Sequence, residues 1–135
     1  MITADSSVWI GYLNGHESPQ TRALDAVLDD SATEIVLLDL VLLEVFRGLR
    51  NQRESRLTRA AFQPLPIFTA GGESVALAAA SMYRDLRGQG ITVRSPIDLL
   101  IGSWCIQNDC MLLHDDRDFD GMERKHGLQS LLERG

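Results

Sequence analysis

The stretch Ile2-Thr3-Ala4-Asp5-Ser6-Ser7-Val8-Trp9-Ile10-Gly11-Tyr12-Leu13 sets the pattern for the rest of the chain. Ile2 to Ala4 is a short apolar entry, and Val8, Trp9, Tyr12 and Leu13 then recur at helical spacing across Ser7 to Leu13. A strand feeds a helix, with Asp5 at the junction. The alternation continues outward. Ser18-Pro19 opens a segment in which Ala23, Leu24, Val27 and Leu28 keep the helical period until Asp29-Asp30-Ser31 interrupts it, and Ile35 to Leu38 reads as a buried strand. Asp39 is expected to cap a helix from Leu40 to Leu49, followed by a second helix from Arg50 to Phe62. Pro64-Leu65-Pro66 turns the chain into a short strand at Ile67-Phe68.

Gly71-Gly72 precedes a long helix from Glu73 to about Leu86, which ends at Gly88-Gln89-Gly90. Ser95-Pro96 announces the next helix, with an N-cap serine and a proline at the first helical position, and Ile97 to Gln107 is its body. Met111-Leu112-Leu113 is one more buried strand, followed by the acidic turn Asp115-Asp116-Arg117-Asp118 and a short helix toward His126-Gly127. Leu128 to Leu132 is expected to close the sheet. Short apolar strands separated by helices imply right-handed crossovers and a parallel sheet covered on both faces.

A chain of 135 residues has room for one hydrophobic core, and with no linker, repeat or low-complexity tract we expect a single domain over 1–135. Apolar residues at 44% and charged residues at 24% are ordinary globular usage. No apolar run reaches the roughly 18 residues of a membrane span, and the start lacks the basic and apolar regions of a signal peptide, so no membrane role and a cytoplasmic location are expected. Cys105 and Cys110 lie in an apolar stretch and read as core residues rather than as a disulfide framework or a zinc site. The net charge of −6 excludes a protein that coats nucleic acid by bulk attraction, so any such contact must be local.

Four acids fall where hydrophobic neighbours would ordinarily exclude a charge. Asp5 ends the first strand, Glu44 interrupts Leu40-Val41-Leu42-Leu43, Asp98 precedes Leu99-Leu100-Ile101, and Asp116 follows Met111-Leu112-Leu113. In an open parallel sheet, strand ends and helix starts form the edge where ligand sites sit. Gathered there, the carboxylates would repel by roughly 4 kcal/mol per pair at about 4 Å, unless a cation lay among them. Magnesium and manganese suit such oxygen donors. Taken singly, three of the acids have a simpler reading: Asp5 can cap the helix near Ser7, Asp98 can complete a Ser95-x-x-Asp98 capping box, and Asp116 or Asp118 can cap the last helix. Glu44, inside a helix, has only an exposed position as its alternative.

These residues resemble a family. Asp5-Ser6-Ser7-Val8-Trp9-Ile10 is similar to the opening motif of PIN domains, and Leu43-Glu44-Val45-Phe46-Arg47-Gly48 to the acid-bearing helix of VapC toxins. Arg94-Ser95-Pro96-Ile97-Asp98-Leu99-Leu100-Ile101 and Leu113-His114-Asp115-Asp116-Arg117-Asp118-Phe119 resemble that family's third and fourth motifs. The order and spacing agree across nearly the whole chain. The resemblance implies a PIN-like three-layer α/β/α fold with a mainly parallel central sheet. It also implies a Mg2+- or Mn2+-dependent endoribonuclease acting on RNA such as tRNA or rRNA. Such a protein forms a homodimer and is neutralised by a VapB-type antitoxin in a toxin–antitoxin hetero-oligomer. Carried over by position, Asp5, Glu44, Asp98 and Asp116 form the catalytic metal site, with Asp118 as auxiliary acid and Ser7 as a nearby hydroxyl. His114 stands where Thr or Ser is common, either as a contact to phosphate or metal or as a satisfied structural histidine.

Arg47, Arg50, Arg53, Arg56 and Arg59 recur every third residue and form a basic arm expected beside the acidic pocket. Arg47, Arg50 and Arg53, with Arg94, are candidates for binding RNA. The alternative for the arm is a solvated helix face with Glu54 pairing locally. Two rival functions remain. A receiver-type signalling domain or a haloacid-dehalogenase phosphatase also uses an acidic pocket but needs a lysine beside it, and the one lysine here, Lys125, lies beyond the last acidic turn. A non-catalytic PIN-like RNA- or protein-binding module would keep the acids for folding alone. Metal titration followed by an RNA cleavage assay separates these readings.

Overall fold

A computed structural model describes residues 1–132. Four strands are present among them: β1 (Ile2–Ala4), β2 (Ile35–Leu38), β3 (Ile67–Phe68) and β4 (Met111–Leu113). They form one sheet in the order β3-β2-β1-β4, and every pairing is parallel. β1 lies between β2 and β4, with Ile2 opposite Ile35 on one side and Met111 on the other. All residues of β1 and β2 are buried, as expected for strands covered on both faces. At the edge, both residues of β3 are exposed.

The helices are α1 (Ser6–Leu13), α2 (Pro19–Asp29), α3 (Asp39–Arg47), α4 (Gln52–Phe62), α5 (Glu73–Gly88), α6 (Pro96–Gln107) and α7 (Asp120–His126). A single 3₁₀ turn, Arg117–Phe119, precedes α7. α1 packs on α2 and α3, whereas α5 packs on α6 and α7, which gives the helix–sheet–helix layering that the sequence pattern implies. Between the layers, Val36, Leu37, Leu38, Ile101, Leu112 and Leu113 are fully buried in one apolar cluster. Cys105 and Cys110 belong to that cluster as free thiols. No helix among the described residues is long and apolar enough to cross a membrane.

Local chemistry sets the helix starts. Ser18 and Thr21 form a reciprocal capping box with Pro19 at the first helical position, and the Ser95 hydroxyl accepts the Asp98 N–H ahead of Pro96. Asn51 caps α4 through the Glu54 N–H, which separates α4 from α3 and starts it at Gln52 rather than Arg50. Asp39 departs from its expected role. It is the first residue of α3, whose N-cap is Leu38, and its Oδ1 accepts the N–H groups of Leu40 and Ala70 at 2.9 Å, tying α3 to the loop after β3. The segment after α7 meets β4 at a single parallel bridge, Leu112 to Ser130, so Leu128 to Leu132 adds less to the sheet than expected.

Candidate metal centre

Asp5 leaves β1 at the carboxyl end of the sheet, its main-chain N–H donated to the Leu113 carbonyl of β4 at 2.9 Å. It occupies the N-cap position of α1 in extended geometry, yet its side chain makes no capping bond. Instead Oδ2 accepts the Ser7 hydroxyl at 3.0 Å, and Oδ1 is buried with no hydrogen-bond partner. Such an orphaned carboxylate oxygen is costly in a dry environment. Burial pushes the Asp5 carboxyl above its ordinary range against the opposing Ser7 and Ser6 hydrogen bonds, and the charges of Glu44 and Asp116 add to the rise.

Glu44 reaches the same place from the middle of α3. It is half-buried, and its Oε1 accepts the Ser6 hydroxyl at 2.9 Å. Asp98 arrives from the first turn of α6 and is buried. Only half of the expected capping box forms there: Ser95 accepts the Asp98 N–H, but the Ser95 N–H donates to Asp118 Oδ2 at 3.2 Å, leaving the Asp98 carboxyl free of capping duty. Burial, followed by repulsion from Asp5 and Asp116, raises that carboxyl to about 8.

Asp116 caps the 3₁₀ turn by accepting the Asp118 N–H at 2.9 Å, so the simple reading holds for it alongside any other role. Asp118 accepts the N–H groups of Arg94 and Ser95, fixing the start of α6 against the acidic turn.

The fold thus brings all five acids to one edge. One oxygen each of Asp5, Glu44 and Asp98 lies within 4.8 Å of the others, and the same holds for Asp98, Asp116 and Asp118, with Asp98 common to both groups. Among the described residues no arginine, lysine or histidine forms an ion pair with any of them. Five carboxylates, an orphaned oxygen and no protein cation form a donor set of hard oxygens that fits a divalent ion such as magnesium or manganese. The buried thiols are not part of the cluster.

The acids line a cleft of about 660 Å³ whose rim carries Thr92, Arg94 and Arg117. Both arginines are exposed, and neither forms an ion pair among the described residues. Arg94 is a residue that the sequence singles out for the site; Arg117, Ser6 and Thr92 are not. Ser6 has a signal in its place directly after Asp5, whereas the rim positions depend on how the α5–α6 loop meets the turn after β4. The basic arm lies elsewhere. Arg47, Arg50 and Arg53 do not line the acidic cleft, and Arg50 pairs locally with Glu54 at 3.2 Å, as on a solvated helix face. Arg56 and Arg59 border a separate apolar groove of about 1000 Å³ with Leu43, Phe46 and Ile67. For Arg53, Arg56 and Arg59 the cause is the break at Asn51, which starts α4 as a separate helix from the one that carries Glu44, whereas Arg47 shares α3 with Glu44 but lies outside the cleft lining.

His114 is fully buried, its ring against Phe119 with centroids 4.7 Å apart. Both ring nitrogens are engaged within the protein.

The chain matches the PIN domain family over residues 2–125. It is 28% identical over 130 residues to VapC ribonuclease Mb1587 of Mycobacterium bovis and to ribonuclease VapC11 of Mycobacterium tuberculosis, covering 96% of this chain and 97% of each relative. Among solved structures it is similar to VapBC2 from Rickettsia felis bound to a promoter DNA fragment, with a TM-score of 0.71 and 18% identity over 100% of this chain and 99% of that one. It is also similar to DNA-bound VapBC from Salmonella typhimurium, with a TM-score of 0.72 and 15% identity over 96% and 97%.

Proposed function

The chain belongs to the PIN domain family, and from that premise we propose that it is a VapC-type toxin, an endoribonuclease that hydrolyses RNA phosphodiester bonds with Mg2+ or Mn2+. The observation that carries this reading is the buried, unpartnered Asp5 Oδ1 within a cluster of carboxylates that no protein cation among the described residues neutralises. Acids kept only for folding, as in a non-catalytic module, would leave no buried oxygen such as Asp5 Oδ1 without a donor.

Asp5, Glu44, Asp98 and Asp116 hold the cation, and Ser6 and Ser7 orient Glu44 and Asp5 through their hydroxyls. Magnesium or manganese, when bound, supplies a Lewis acid that acidifies a water and stabilises charge developing on a phosphoryl group. Burial and the neighbouring Asp5 and Asp116 keep a proton on Asp98 near neutral pH, and a bound cation would favour its release. Arg94 and Arg117, without ion-pair partners on the rim, receive the backbone phosphates flanking the scissile bond.

We further assign residues 1–135 to one domain that acts in the cytoplasm as a homodimer, in complex with a VapB-type antitoxin. The related VapBC assemblies support a partner protein, and the apolar groove beside Leu43, Phe46 and Ile67 offers surface for one.

The test is cleavage of total cellular RNA by the purified chain with added Mg2+ or Mn2+, with product ends mapped. Discrete products are expected from the native chain, abolished by chelator and reduced about a hundredfold or more in Asp5→Asn. Cleavage that survives both treatments would exclude a carboxylate-held metal.

A further inference from the structure

Position 114 is where the chain departs from the motif it otherwise resembles, and the structure gives its histidine a complete set of partners. Nδ1 accepts the main-chain N–H of Asp116 at 3.1 Å. Nε2 lies 2.5 Å from Glu123 Oε1 on α7 and 3.1 Å from Ser130 Oγ in the segment beside β4. The Ser130 hydroxyl donates to the same Glu123 oxygen. These bonds fix the tautomer: Nδ1 is bare toward Asp116, and Nε2 carries the proton toward Glu123.

We propose that His114 is a positioning residue for the metal site, holding the Asp116 backbone so that two of the acids keep a fixed mutual register. The hydrogen bonds run on from His114 without a gap. Asp116 Oδ1 accepts the Asp118 N–H, Asp118 Oδ2 accepts the Ser95 N–H, and Ser95 Oγ accepts the Asp98 N–H. Asp116 and Asp98 are therefore set relative to each other by a chain of bonds anchored at its far end on α7, through Glu123 and His114. A Thr or Ser hydroxyl at 114 is too short to serve Asp116 and Glu123 together, so this relay belongs to the histidine. Supporting groups of this kind tune metal affinity without touching the ion. The inference rests on the reading of the acids as metal ligands.

Two substitutions separate the two ends of the ring. In His114→Asn the amide oxygen stands near the place of Nδ1 and accepts the Asp116 N–H but does not reach Glu123. In His114→Gln the amide nitrogen stands near the place of Nε2 and donates to Glu123 but offers Asp116 no acceptor. With Mn2+ alone as probe, measured by calorimetry, His114→Gln is expected to bind about ten- to a hundredfold more weakly. His114→Asn keeps the Asp116 bond and loses only the anchor on α7, so its affinity is expected to fall between those of the native chain and His114→Gln. In metal-free protein the Asp116 amide should be protected from hydrogen exchange in the native chain and in His114→Asn, and should exchange faster in His114→Gln. Equal Mn2+ affinities in the two variants would overturn the proposal, as would fast exchange of the Asp116 amide in the native chain, a measurement that needs no variant. If Asp5→Asn binds Mn2+ as well as the native chain, the metal reading itself fails, and unchanged Asp116 exchange in His114→Gln then removes the positioning role as well.

Discussion

Asp98 illustrates what the fold does to a single side chain. Its carboxyl titrates near 3.8 when exposed and is raised to about 8 in the folded protein, chiefly by burial, and Asp5 shifts the same way. Between those two values the native state holds a proton that the unfolded chain has released, so stability falls as pH rises. The contribution is complete below about 3.8 and gone once pH passes about 8. Metal-free protein should therefore melt at a lower temperature at pH 8 than at pH 5. Mn2+ should raise the midpoint more at pH 8 than at pH 5, because fewer protons have to leave the site. Asp98→Asn should flatten the metal-free pH dependence and weaken the response to Mn2+. Identical melting profiles for native and variant across this range would show that Asp98 is not the group responsible. The four acids were legible in the sequence because each interrupts or abuts an apolar run. Ser7 beside Asp5 and Ser95 before Asp98 were legible as well, but the bond from Ser6 to Glu44 was not, since it joins positions whose closeness exists only after β1 and α3 are docked.

Elements are held by packing that composition does not advertise. Gly102 lies mid-helix in α6, where glycine ordinarily weakens a helix. A Cβ there would fall 2.3 Å from the Met122 sulfur of α7, and Met122 is itself fully buried. Gly102→Ala should cost about 1–3 kcal/mol in chemical denaturation, because the packing of α6 on α7 has to open. Trimming the opposing side chain with Met122→Ala in the Gly102→Ala background should give a total destabilisation smaller than the sum of the two single effects. A Gly102→Ala protein as stable as native would mean that the helices do not approach so closely. The strands themselves could be read from runs such as Ile35 to Leu38, and most helices from their period and caps. The second acceptor role of Asp39 could not, because it depends on Ala70, brought near only when β3 pairs with β2.

For the molecule as a whole, the proposed RNA substrate raises the question of how a chain of net charge −6 would hold a polyanion. On that proposal, Arg94 and Arg117 at the cleft would answer it locally. Replacing both with alanine should raise KM for an RNA oligonucleotide and lessen the dependence of log affinity on log salt by about 0.7 for each phosphate left without its guanidinium. The same measurements on Arg47→Ala, Arg50→Ala and Arg53→Ala combined should show little change. The reverse ranking would return substrate binding to the arm. That the α4 part of the arm, Arg53, Arg56 and Arg59, does not line the cleft was not legible, because the direction of α4 after Asn51 is a tertiary property, whereas the parallel layered architecture followed from the alternation of elements. The strand order has a temporal consequence. β1, which leads into Asp5, pairs with β4, the last strand of the four in chain order, and Asp116 follows β4 directly. During synthesis the early acids therefore wait, unassembled, until nearly all later elements have left the ribosome.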